Sequence, residues 1–531
     1  MTTATAAATA APPADPTAVP GAGPARAFSR VGPGWRYRLE SLPIERARAG
    51  AVAAALVVAT TAVHAVNLTA APQRLAEEGD IAARAWAVEN LRALTPGTYT
   101  YDGPPLGWLQ LGAWTWLTGA FDRGPSAVGA VRPAMLIALA VSAALLWVLA
   151  RRLELPRWAA ATALVLFGLS PLAVDLHRQV LVENLAVPWI LAAFVLATSP
   201  RQRLAAQAGA GLCLGVAVLT SGTALLLVPA LALLLWRATA AENRWMVLAV
   251  AASLFLLVCG AFAVGAAARG ELLPGDAGPS LLEGAWHQAF ERPSTGSVLD
   301  GGSAARATVS GWLDLDPVGP VLALAAAPLA LVTLRRVAPM AAGFLAVGAI
   351  VVRPGYLPPS LPVLLLPLGA VLVAGAAAAV WRWYGEGRPA RGRVLAGAGA
   401  LVAVATAAAW AGDLGTLVGR DADAPLRDAT RWIVDAAPAD ATLVVDDAIW
   451  VDLVEAGVDP DRLTSYAALV ADTGRGADRP RPAPEHDLVV VTGAYRSFRA
   501  GHPQLAVAVG NSTPVVAFGS GDERVEIRRV G

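Results

Sequence analysis

Lysine is absent: all 41 basic residues of the 531-residue sequence are arginine. Alanine, glycine and proline are abundant, so the absence reads as a coding bias rather than a device. Only two cysteines occur, Cys213 and Cys259, both inside apolar segments. They offer no disulfide framework and no metal-ligand spacing, and they read as packing residues. Charge is scarce, with 15% charged against 56% hydrophobic residues and a mean hydropathy of +0.53. This balance excludes an ordinary soluble globule and fits a polytopic membrane protein. A net charge of +1 gives no reason to expect a nucleic-acid partner. Residues 1–25 lack a basic segment ahead of an apolar run, which argues against a signal peptide and predicts a disordered tail.

Apolar runs of near-spanning length are plentiful. They fall at about 50–68, 127–150, 158–175, 182–199, 205–220, 222–236, 246–268, 317–334, 338–352, 357–380 and 393–411, which predicts about eleven membrane helices. Ser221 and Gly222 mark the break between the fifth and sixth. Arginines precede the first run (Arg26 to Arg48) and follow the second (Arg151, Arg152), fourth (Arg201, Arg203), sixth (Arg237, Arg244), eighth (Arg335, Arg336) and tenth, in "WRWYGEGRPARGR". With eleven crossings all these turns share one side. The positive-inside rule then predicts a multi-pass plasma-membrane protein with a cytoplasmic N-terminus and an extracytoplasmic C-terminal domain.

The expected organisation is a basic tail over 1–49, a helical membrane domain over 50–411 with outer loops 69–126 and 269–316, and a small α/β domain over 412–531. In that last segment "APLRDATRWIVDAA" has helical periodicity with Pro425 at its start. "ATLVVDD" and "HDLVVVTG" read as buried strands, "PVVAFGSGDERVEIRRV" as a hairpin, and "RPRPAPEH" near 479–486 as a surface linker. In the first outer loop "DIAARAWAVENLRAL" reads as an amphipathic helix along the membrane surface. Tyr99, Tyr101, Trp108, Trp114 and Trp116 after it read as an interfacial aromatic belt. The second outer loop, with "WHQAFERPSTGSVLDGGS", is polar and suited to covering a site at the membrane boundary.

These stretches together resemble a family. An acidic pair after the first span, a helix, then Tyr-Asp-x-Pro-Pro-Leu-Gly-Trp is similar to the first outer loop of GT-C glycosyltransferases of the family 39 type, which includes protein O-mannosyltransferases, aminoarabinose transferases and actinobacterial membrane relatives. "HRQVLVENLAVPW", "GLCLGVAVLTSGTALLLVPAL", "WLDLDP" and "RPGYLPPSLPVLLLPL" continue the resemblance. It implies a membrane enzyme that moves a sugar, hexosyl or pentosyl, from a polyprenyl-phosphate donor to a glycan, lipid or protein acceptor on the outer face. It places Glu77 on the catalytic acid, Glu78 on its partner, Asp102 on the loop acid, Arg178 and Glu183 on a second polar cluster, and Arg353 and Tyr356 on a segment suited to the donor phosphate. The sequence departs from the family at four places. Glu77 stands for the usual Asp, Asp80-Ile81 for Thr-Tyr, Gly103 for His, and Ser221-Gly222 for Lys-Glu.

Read without the resemblance, Glu77, Glu78 and Asp80 are acids at a helix start, with Asp80 and Arg84 spaced i,i+4. Asp446 and Asp447 read as a strand-end turn. His64 and His177 read as boundary residues rather than ligands. No cofactor is expected, and a divalent metal is left open. The alternative to an enzyme is a GT-C-fold protein that has lost catalysis and serves as a lipid-binding or scaffold subunit in envelope assembly.

Overall fold

The computed structural model describes residues 43–200, 203–275, 278–473, 486–498 and 509–531. The N-terminal tail up to residue 42 and most of the linker expected near 479–486 lie outside them. The chain divides into two units at Val52/Ala53. The described part of the first, residues 43–52, is the start of the helix Pro43–Ala65. All that follows concerns the second unit.

Every one of the apolar runs is helical. Among the described residues six helices are long and apolar enough to cross a membrane, or up to eight if each of two bent pairs is one span. Three more, Val182–Ala197, Gly222–Ala238 and Ala338–Val352, are apolar but shorter. The bent pairs have local causes. Ser170 leaves the helical conformation and caps Pro171–Arg178 through a hydrogen bond from the Ala173 amide, so that helix turns 57° from Arg157–Leu169. Asp316 accepts from the amides of Val318 and Gly319, and Val318–Thr333 departs at 106° from Ala304–Leu315. Ser221 is extended, and a 3₁₀ turn over Gly222–Leu227 follows it, where the break between two spans was expected.

Helices meet through small residues, as membrane packing favours. A Cβ on Gly211 would lie 1.9 Å from the carbonyl oxygen of Ala251 on the neighbouring helix, and one on Gly168 would lie 2.2 Å from Thr60. Cys213 is buried in this core and neither cysteine is bridged, in keeping with a packing role.

The turns sort into two ends of the bundle. At one end Arg237 donates to the carbonyl of Arg335 (3.0 Å), Arg336 pairs with Glu154, and Trp158 meets Trp381 edge-on. At the other, Tyr101 donates to Glu271, Thr295 and Ser297 bond the carbonyls of Gly355 and Val352, and Asn67 bonds that of Arg420. The arginine-bearing turns after the second, sixth, eighth and tenth runs are thus gathered away from the long loops.

At the loop end lies a five-stranded sheet. Its strands are β1 (Leu443–Val445), β2 (Leu463–Ser465), β3 (Leu488–Val491), β4 (Ser512–Phe518) and β5 (Val525–Val530), in the order β2-β1-β3-β5-β4. The first three are parallel, and β1 and β3 are buried along their whole length, as apolar runs in a covered parallel sheet should be. β4 and β5 form the expected hairpin, with Gly519 and Gly521 at positive φ. The edge strand β2, three residues long, carries no sequence signal of its own. The helix Ala424–Ala436 matches the expected one, whereas Asp446 and Asp447, expected in a strand-end turn, cap and begin the helix Asp447–Glu455.

Two expectations for the first outer loop are corrected. The helix Ala76–Asn90 is not an amphipathic helix with one wet face. Ile81, Ala82, Ala83, Ala85 and Ala87 are buried, and the helix is wedged between Leu106–Thr118 and Asp447–Glu455. A Cβ on Gly79 would sit 2.2 Å from the Asp447 backbone, so only glycine permits this approach. Nor do the aromatics form a belt. Tyr101 and Trp108 are each 4% exposed and Tyr99 packs on both, whereas Trp116 alone of the five is 70% exposed. Small alanines on several faces let this helix be enclosed, where a bulky amphipathic helix would have kept one wet face.

Replacing Gly211 by Ala is expected to destabilise the protein by about 1–3 kcal/mol through overpacking against Ala251. Gly397→Ala, where nothing lies within 4 Å of the added Cβ, is expected to be neutral or stabilising by up to ~1 kcal/mol. Thermal unfolding of the two variants in detergent reads the difference.

Candidate active site

The stretch "RLAEEGD" is split by the helix it begins. Glu78 points inward and is 0% exposed, as is Arg132. Its carboxylate accepts from Arg132 Nε (3.0 Å) and Nη2 (2.8 Å), from the Val180 amide (2.8 Å), and from the Leu75 amide that opens the helix (3.1 Å). Arg132 spends its other donors on the carbonyls of Leu68 and Pro72. A buried ion pair is sustained only when its remaining hydrogen-bonding capacity is met in this way. Glu78 is therefore placed as a strut joining three segments, not beside Glu77 as its acidic partner.

Glu77, one position earlier, is on the exposed side of the helix start. Its side chain is reached by solvent yet surrounded by protein. Burial raises its pKa to about 7; the negative charge of Glu183 adds to the rise, Arg292 opposes it, and Asp80 and Glu78 contribute smaller upward pushes. Glu183, at the first turn of Val182–Ala197, is held by the hydroxyls of Ser221 (3.1 Å) and Ser360. Arg292 comes from the second outer loop and lies 3.5 Å above the Tyr356 ring, a cation–π contact. Tyr356 feels the charges of Arg292, Glu77 and Glu183.

Beside this group Arg84 bridges two acids. It binds Asp80 one turn away, and it grips Asp102 through both terminal nitrogens at 2.9 and 2.6 Å. Its guanidinium covers the Trp108 ring at 4.9 Å. Burial alone would raise the pKa of Asp102; the hydrogen bonds and charge of Arg84, with Arg292 beyond, outweigh burial and hold it low. The result is a stably charged floor next to a carboxylate, Glu77, that exchanges its proton near neutrality.

Of the residues expected from the sequence, Glu77, Glu183 and Tyr356 are thus neighbours, and Asp102 joins them through Arg84 and Arg292. Three others lie elsewhere. Glu78 is the strut described. Arg178 is 0% exposed and donates to the carbonyls of Val66 (2.6 Å) and Leu417 (3.2 Å), away from Glu183. The kink at Gln179 and Val180 separates the two side chains that the sequence spaced five apart. Arg353 is exposed, with its guanidinium folded over its own Gly355. The cation found beside Tyr356 is Arg292. The one signal for it was its position, since it is the only arginine between Arg269 and Arg306. Ser360, Arg84 and Arg132 as partners of named acids had no sequence signal beyond the Asp80–Arg84 spacing. No group of three or more His, Cys, Asp or Glu side chains placed to hold a metal occurs among the described residues.

The fold is the GT-C fold of membrane glycosyltransferases. The sequence model of the family described as dolichyl-phosphate-mannose-protein mannosyltransferase matches residues 111–261. Among solved structures, ArnT from Cupriavidus metallidurans bound to undecaprenyl phosphate is similar with a TM-score of 0.54 at 16% identity, over 90% of this chain and 97% of that one. The Archaeoglobus fulgidus oligosaccharyltransferase tethered with an acceptor peptide is similar with a TM-score of 0.51 at 12% identity, over 88% of this chain and 72% of that one. No curated protein sequence matches.

Two outcomes are expected. Because the native pKa of Glu77 lies above its ordinary 4.5, the folded state binds more protons than the unfolded one between about 4.5 and 7, and this residue's contribution to stability falls as pH rises through that window. The stability of Glu77→Gln relative to the parent should therefore increase from pH 5 to pH 8 in thermal unfolding. Arg132→Met leaves Glu78 buried without a counter-charge and should cost about 3–5 kcal/mol, read the same way.

Proposed function

We propose that the chain transfers a sugar from a polyprenyl-phosphate donor to an acceptor hydroxyl at the outer face of the plasma membrane. The observation that carries this reading is the solvent-exposed carboxylate of Glu77, within reach of the charges of Glu183 and Arg292, in a GT-C fold. A general base works best with a pKa near the operating pH, and burial brings Glu77 to about 7. In the proposed reaction Glu77 takes the proton of the acceptor O–H as that oxygen bonds to the anomeric carbon. The bond from that carbon to the phosphate oxygen breaks, and the polyprenyl phosphate leaves with the electron pair. Arg292 stands where a cation can offset the leaving charge, and Tyr356 orients it from below.

The extra methylene of glutamate at position 77 carries its carboxylate toward Glu183 and the second loop. Ser221, where the family commonly has lysine, bonds Glu183, and the cation comes from Arg292 on that loop. This substitution of source supports an active enzyme over a scaffold subunit. The gathering of arginine-bearing turns at the opposite end supports an outward-facing site and a cytoplasmic N-terminus. The acceptor is a glycan, lipid or protein outside the membrane; kinship with the actinobacterial branch rests on the sequence resemblance.

The test is transfer of labelled hexose or pentose from a polyprenyl phosphate by the full chain in proteoliposomes. Glu77→Gln should lower the rate by about 10² or more. The parent rate should rise with pH and level off above about 7, because the base works ionised. Undiminished transfer by Glu77→Gln would remove Glu77 from the mechanism.

A further inference from the structure

The helix Pro362–Val380 starts two residues after Ser360, the partner of Glu183. It continues through Trp381–Gly385 as 24 helical residues in all. At 1.5 Å per residue its far end is about 36 Å from its start, a full membrane thickness. There the chain turns through "WRWYGEGRPARGR" into the helix Pro389–Gly419. The turn borders an open, shallow recess of about 460 Å³, lined by Trp381, Gly385, Gly387, Arg388, Gly392 and Arg393 among others.

Its chemistry is one-sided. Four arginines, at 382, 388, 391 and 393, share the turn with one acid, Glu386. None of the four forms an ion pair among the described residues, and all four are exposed. Its glycines keep the hollow open: Gly385 and Gly392 are buried beneath it, and the Gly385 carbonyl is 3.3 Å from where a Cβ on Gly392 would stand. Trp381 is held edge-on by Trp158, whereas Trp383 (48% exposed) and Tyr384 (56%) stand outward beside the arginines. Exposed Trp and Tyr at the end of a spanning helix belong at headgroup level. Unpaired arginines between spans at that level are the chemistry that holds an anionic headgroup.

We propose that this recess binds the phosphate of an anionic glycerophospholipid, on the membrane face opposite Glu77. Arg388 and Arg393 take the phosphate, and Trp383 and Tyr384 flank the glycerol and upper chains. The charge complementarity fits phosphate in general. The aromatics, and the position between two apolar helices, commit the site to a lipid source. The inference is independent of the transfer reaction.

The experiment is a titration of detergent-solubilised full chain with dioctanoyl phosphatidylglycerol, dioctanoyl phosphatidylcholine or inorganic phosphate, read by thermal shift. Phosphatidylglycerol should raise the melting temperature saturably, and the other two should not. Arg388→Gln and Arg393→Gln should each weaken phosphatidylglycerol binding about five-fold, and the pair about thirty-fold, at ~1 kcal/mol per arginine. Arg237→Gln, which removes the same charge outside the recess, should leave it unchanged. Equal shifts with phosphatidylcholine or with inorganic phosphate would overturn the lipid assignment. Equal weakening by Arg237→Gln, or none by the two recess variants, would show diffuse surface charge and overturn the site.

Discussion

The Glu78–Arg132 pair is the constraint on which the arrangement of the site rests. Taking two charges fully out of water costs several kcal/mol per ion, and only dense hydrogen bonding offsets it. Here the pair draws in the Leu75 amide at the helix start, the Val180 amide at the kink before Glu183, and the carbonyls of Leu68 and Pro72 just after the first span. These are the segments that carry Glu77 and Glu183. Anchoring Glu78 fixes the rotation of the helix start, and with it the direction in which Glu77, about 100° away around the axis, projects.

A second set of contacts backs the same helix from outside the bundle. Arg74 binds Asp423 through Nε and also pairs with Asp452, which in turn accepts from the Ala127 amide at 2.7 Å. Gly79 lies against the Asp447 backbone. The domain bearing the sheet is thus part of the scaffold that holds Glu77. Burial, with the charges of Asp80 and Asp446, pushes the Asp447 carboxyl up to about 8, so this contact adds little negative charge near neutrality. The Glu77 side of the helix keeps its field from Glu183 and Arg292.

Much of the fold was legible because it follows from local rules. Apolar length marked every helical run, Ser221 marked a break, and Pro425, Gly519 and Gly521 marked a helix start and a hairpin turn. The strand β2 was not legible, because Leu463-Thr464-Ser465 lacks the apolar run that marked the equally short β1. The wedged position of Ala76–Asn90 was not legible either. Its alanines fit a half-wet helix and an enclosed one alike, and only the approach of Asp447–Glu455 shows that a second face is covered. The same holds for Tyr101 and Trp108, whose aromatic character fits an interface until Glu271, Arg269 and Arg84 are seen around them.

What the sequence determined by itself was the membrane class, the helical runs, the sorting of arginines to one set of turns, and an acidic helix start with Glu77 at its head. Each depends on composition or on spacing along one element. What only the tertiary structure decided was which charges meet. Neighbouring acids Glu77 and Glu78 were given different surroundings, one exposed and the other buried against Arg132. Arg178 and Glu183 were parted by a kink, and Arg292 was brought in from a loop more than two hundred residues away in sequence from Glu77. Charge pairing acts through space at a few ångströms, and a sequence orders residues along a chain. Where the chain folds back through a membrane, proximity in sequence carries almost no information about that distance.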